Sequence, residues 1–93
     1  MTESLVAIDV AKRALRVEGS DLDEDLLWRL EQATEIVIDY IKQPEHEWTP
    51  ETVPGPVSAA IILVTRSLFD GEDEPISDAV RALLHRFRDP ALA

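Results

Sequence analysis

The sequence predicts an all-α fold, a small domain of four helices. Apolar residues recur at three- and four-residue spacing in four stretches, and turns carrying Gly or Pro separate them. No stretch of useful length alternates apolar and polar residues as a half-buried strand would. With 93 residues the chain is read as a single domain over 1–93. A domain of that size buries only somewhat over ~60% of the surface its unfolded form exposes, so the core is modest. The absence of cysteine leaves no disulfide or thiolate metal site to supplement it. Apolar burial has to hold the fold.

The first helix is expected from about Ile8 to Leu15, with Asp9 complementing the dipole in the first turn and Ala7 at a poorly capped start. It is short and needs support from its neighbours. RVEGSD then breaks the chain at Gly19. Asp21, with Glu24 three residues on, reads as a capping-box-like start for a long second helix that reaches about Lys42 before Pro44. Leu26, Leu30, Ala33, Val37 and Ile41 share one stripe of it, with Glu24, Asp25, Glu35 and Asp39 opposite. Trp28 falls among those acids, with Ile36 nearby. It either lies flat along its own helix or anchors another chain, and the second is favoured because Trp is enriched at interface hot spots.

The segment 43–56, QPEHEWTPETVPGP, holds four prolines and is a loop of restricted conformation. Pro56 suits the first position of a third helix that runs to about Asp70 before Gly71. Val57, Ile61, Val64 and Leu68 form its inward stripe, but Ile62 and Phe69 form a second about 130° away, and Ala59 with Leu63 a third. A helix apolar on nearly every side has to be covered on nearly every side. Either the loop bearing Trp48 folds over it or an identical neighbouring subunit does, and the neighbour is favoured because a small fold leaves much apolar surface bare.

After the acidic turn DGEDEP, Ser77 can cap a fourth helix to about Phe87, with Ile76, Val80, Leu83, Leu84 and Phe87 on its apolar face. Arg81, Arg86 and Arg88 crowd its end with His85, where cations favour the dipole. They are either a solvated face or a surface that meets an acidic patch on a partner.

Nineteen Asp and Glu against nine Lys and Arg give a formal net charge of -10. Phosphate-backbone binding draws on clustered Lys and Arg, so a surface this acidic repels nucleic acid and disfavours a DNA-reading role. The longest apolar run, Ala59 to Val64, is far short of the roughly 20 residues that span a bilayer, and the N-terminus lacks a signal-peptide layout. The expectation is a soluble, unsecreted protein without membrane contact.

Little chemistry can be built from these residues. The two histidines, His46 and His85, lie in different segments, and neither a dinucleotide fingerprint nor a phosphate loop occurs. Glu45–His46–Glu47 is a weak metal candidate with no second ligand pair. DLDED at Asp21 to Asp25 resembles the first half of a calcium loop but lacks its Gly and final Glu, and helix-start acidity explains it better. No enzyme, cofactor or metal is expected.

Taken in order, AIDVAKRALRVEGSDLDEDLLWRLEQATEIVIDYI, VPGPVSAAIILVTRSLFDG and DAVRALLHRFR resemble the small head-tail connector, or adaptor, proteins of long-tailed bacteriophages. The matching positions are Ile8, Ala11, Lys12, Leu15 and Arg16; Leu27, Leu30, Ala33, Thr34, Val37 and Tyr40; Pro56; and Val80, Arg81, Ala82, Leu83 and Leu84. Order, spacing and length carry the likeness, which covers nearly the whole chain. Ala7 departs from a family cap that is often Ser or Thr, and the tail after Phe87 is short.

The resemblance implies a virion protein made in the host bacterial cytoplasm. It would form a homo-oligomeric ring of about a dozen copies at the head-tail interface, docked on the portal protein and extending the DNA channel toward a tail-side stopper or tail terminator protein. DNA would pass through without specific binding. On that view Trp28, Ile62, Leu63 and Phe69 make subunit contacts, Arg81, Arg86 and Arg88 meet the portal or a neighbour, Trp48 faces the tail side, and Glu35 and Asp39 line the channel. The rival reading is a monomeric acidic helical protein that binds and inhibits a basic partner through its acidic face.

Overall fold

The computed structural model describes residues 4–87. Its helices are α1 (Ile8–Leu15), α2 (Asp23–Ile41), α3 (Gly55–Asp70) and α4 (Asp78–Leu84), with a closing 3-10 turn at His85–Phe87. No strand occurs among the described residues. The all-α, four-helix expectation holds.

The arrangement follows from α3, the most apolar element. It starts one residue before the expected Pro56. Pro54 sits at the cap with φ -59° and ψ 142°, and Pro56 occupies the second helical position, where a missing N–H is equally harmless. α2 packs along one side of α3, α4 along another, and α1 rests across both α2 and α3. Val57, Ala60, Ile61 and Val64 are fully buried, and Ile62, Leu63, Leu68 and Phe69 pack half-buried against the same core. Only Gly55, Arg66 and Asp70 of α3 are exposed. Two polar residues are buried with it, and Thr65 satisfies its hydroxyl locally by donating to the Ile61 carbonyl at 2.8 Å. The premise that one small fold leaves α3 bare is therefore corrected: the chain shelters most of it alone.

The expected inward stripe of α2, Leu26, Leu30, Ala33, Val37 and Ile41, is fully buried. Its start differs from expectation. Leu22 is the cap residue and no side chain caps it, so Asp21 and Glu24 form no capping box. Asp23, Glu24 and Asp25 instead place three carboxylates in the first turn, where they favour the dipole. The Lys12 ammonium ties α1 to that turn, meeting Asp23 Oδ1 at 2.7 Å and donating also to the Gly19 carbonyl.

The segment before α1 contributes to the core in a way its composition did not announce. Leu5 and Val6 are buried, and the Leu5 amide donates to the buried Thr34 hydroxyl of α2 at 3.3 Å. Ser77 caps α4 as expected, its hydroxyl accepting from the Val80 amide at 3.3 Å, and Val80 and Leu84 fill the remaining side of α3. The 3-10 turn then completes the segment read as helix to Phe87.

α1, α2 and α3 end alike, with a left-handed residue after the last turn. Arg16 and Lys42 each have φ 58° and Gly71 φ 70°, and the next amide reaches back five residues, as in Val17 to Lys12 at 2.9 Å. Only Gly71 adopts that conformation without a Cβ penalty.

Two measurements test this packing. Leu30→Ala is expected to lower unfolding free energy by about 2–5 kcal/mol in urea titration. Lys42→Gly is expected to raise it by about 0.5–1 kcal/mol, because it removes a strained side chain from the left-handed region.

Candidate interaction surface

Among the described residues, the large apolar side chains that the fold leaves in solvent lie toward the first half of the chain. Trp28 is 54% exposed, Leu22 47%, Leu27 44% and Val10 40%. Spacing alone accounts for their orientation. Relative to the α2 core stripe, Leu27 points roughly at right angles and Trp28 points away, as 100° per residue requires. Trp28 was legible as an outward residue; Leu22, Leu27 and Val10 were not singled out, although the same arithmetic identifies Leu27.

Trp28 heads a stripe on the outer side of α2 that continues through Gln32, Glu35, Ile36 and Asp39 at helical spacing. Those last four residues line a shallow groove. Glu35 and Asp39 are exposed and Ile36 is half-buried. The face is an aromatic anchor and an aliphatic floor set among carboxylates.

Arg29 holds the base of this face. Its guanidinium lies 4.8 Å from the centroid of Phe69 and 5.8 Å from that of Trp28, and Nη1 donates to the Leu68 carbonyl at 3.1 Å. That carbonyl is at the negative end of the α3 dipole, so one cation serves two rings and a helix terminus. Its Nε is buried without a hydrogen bond, and Asp25 Oδ2 at 3.6 Å is an ion-pair neighbour only. Phe69 is thus committed to the chain's own packing as well as half-buried, and Arg29 is a residue that helix spacing did not single out.

A second groove lies where α1, α2 and α3 meet, lined by Leu15, Val17, Leu22, Phe69, Arg66 and Asp70. Ile62 and Leu63 sit half-buried on α3 and are not brought together with Trp28 into one exposed patch.

Trp48 is half-buried, not splayed outward. It stacks on His46 with centroids 5.3 Å apart and meets Phe87 edge-on at 6.4 Å, while His46 Nδ1 accepts from the Trp48 amide at 3.2 Å. Gln43 donates its side-chain amide to the Phe87 carbonyl, so the proline loop is fastened to the end of the chain's last described turn. The loop's exposed residues are Pro44, Glu45, Glu47 and Thr49 to Thr52.

Arg81 is exposed and pairs with Asp78 at 3.0 Å; Arg86 is exposed; Arg88 lies outside the described residues. Among the described residues no group of three His, Asp or Glu is placed to hold a metal ion. Among the described residues, too, no helix is long and apolar enough to cross a membrane. Comparison of the chain with protein-family models, with curated proteins and with solved structures gives no match.

Replacing Arg29 tests the anchoring of this surface. Arg29→Ala is expected to cost about 1–2 kcal/mol by urea unfolding, from the lost hydrogen bond and ring contacts. Arg29→Lys should recover less than half of that, since an ammonium cannot lie flat between two rings.

Proposed function

We propose that the protein is a structural subunit that assembles head to tail with copies of itself into a ring, of the head-tail connector type its sequence resembles, joining a portal to tail-side components around a DNA channel. The observation that carries this reading is the exposure of Trp28 with Leu22, Leu27 and Val10 on a chain that has otherwise buried its apolar residues well. A fold able to wrap α3 has no packing reason to leave an indole in water. Large exposed apolar residues on a charged surface mark association.

The charge supports the same reading. A net charge of -10 keeps a phosphate backbone from adhering to a wall it must slide past. The proline loop, pinned by Trp48, His46 and Phe87, offers a stiff acidic edge for the tail side, and the Arg81–Arg86 end of α4 offers cations for the portal or a neighbour.

Sedimentation and electron microscopy of the protein, alone and mixed with a portal ring from the same genome, test the proposal. Ring-shaped assemblies are expected in the mixture, and Trp28→Asp should weaken their formation by about thirtyfold or more. A chain that stays monomeric beside the portal, or that instead forms a small defined complex with a basic protein, would refute it and favour the inhibitor reading.

A further inference from the structure

The ring reading leaves open which surfaces meet, and the distribution of charge and apolar area on two helices narrows that choice. The outer side of α1 is unusual for so short a helix. Ile8, Ala11 and Leu15 face the core, yet Val10 and Ala14 on the flank of the helix, with the cap residue Ala7, are exposed. Val10 therefore stands between two methyl-sized neighbours, in an apolar strip without a tall side chain. Arg13 borders it on the solvent side, and Arg16 follows at the helix end. Among the described residues Arg13 has one ion pair, with Asp9 at 3.6 Å and both side chains about three-quarters exposed, so that pair is worth little. Arg16 is exposed and is held at the helix end by its backbone.

The outer side of α2 is the counterpart of this surface. Trp28 is an exposed ring in need of a flat apolar seat, and Glu35 and Asp39 are exposed anions along the same stripe. An indole lies well on Ala–Val–Ala and poorly on a face of long side chains. A two-fold contact centred on the Gln32–Asp39 groove would bring the Glu35 and Asp39 carboxylates of both copies together, and like charges brought together across an interface are costly. The α4 end is a weaker seat, since Arg81 is already paired with Asp78 at 3.0 Å and no large apolar residue there is exposed among the described residues.

We infer that the α2 face of one copy docks on the α1 face of the next, Trp28 over Val10 and Ala14, with Glu35 and Asp39 opposite Arg13 and Arg16. Two different faces meet, so the contact repeats from copy to copy. This rests on the ring reading and assigns Glu35 and Asp39 to the subunit boundary instead of the channel wall. One eight-residue helix supplies half of the contact, which places it among small, individually weak interfaces that gain strength only when a ring closes or a platform gathers the subunits.

The chain has no cysteine, so introduced thiols report contacts without background. In the double variant Ala14→Cys/Gln32→Cys, mild oxidation is expected to yield a ladder of covalent dimer, trimer and larger species, whereas Gln32→Cys alone should cross-link at least about tenfold more slowly. Adding Arg13→Glu and Arg16→Glu to the double variant should slow the ladder by about tenfold, and adding Glu35→Arg and Asp39→Arg on top should restore it. Cross-linking captures transient pairs, so the ladder is expected even where sedimentation records mainly monomer. Rapid dimerisation of Gln32→Cys alone, a double variant that stops at dimer, or a ladder indifferent to the charge changes would each overturn the inference. Rings formed with the portal in the absence of any ladder would overturn it too, while leaving the ring reading intact.

Discussion

The constraint on which the rest of the fold depends is the need to enclose α3. A helix that carries apolar residues around most of its circumference is unstable wherever it meets water, and no single partner helix can cover more than a stripe of it. The chain meets this with three partners. α2 takes one side through its Leu26–Ile41 stripe, α4 another through Val80 and Leu84, and α1 lies over the α2–α3 pair with Leu5 and Val6 tucked in beside it. Each of those helices is short or marginal by itself, and each is held in place by the surface it covers.

Enclosing α3 fixes what remains outside. With the central helix turned inward on nearly every side, the surface is written by the outer faces of α1, α2 and α4 and by the proline loop. α2 contributes an indole and a line of carboxylates, α1 a low apolar strip bordered by arginine, and α4 a few cations partly spent on a local carboxylate. Arg29 links the inner and outer accounts, because the guanidinium that steadies Trp28 also reaches the end of α3 and the ring of Phe69. The acidic balance of the chain then acts on that surface as a whole, discouraging polyanions and self-pairing of the α2 face.

The loop between α2 and α3 shows how local stiffness and distant contact combine. Its prolines restrict the backbone but do not say where it goes. His46, Trp48 and Phe87 decide that by stacking, and the Gln43 side chain fastens the same corner through the Phe87 carbonyl. The aromatic residue that looked like an outward anchor is half inside the chain, and the charged and hydroxyl residues beside it form the outer edge.

The sequence by itself determined the positions of the four helices, the α1, α2 and α3 ends, the Ser77 cap, the inward stripe of α2 and the outward aim of Trp28. All of these follow from spacing along one helix or from a residue's own backbone preference, which are local properties. Only the tertiary structure decided that the chain could cover α3 unaided, that Leu5 and Val6 belong to the core, that Leu22 rather than Asp21 stands at the α2 start, and that Arg29 binds Phe69 and the Leu68 carbonyl. Those outcomes depend on groups far apart in the chain, 29 residues for Leu5 and Thr34 and 39 for Arg29 and Leu68. Periodicity assigns a side chain to a face of its own helix; which neighbour arrives at that face is settled by packing the whole molecule at once.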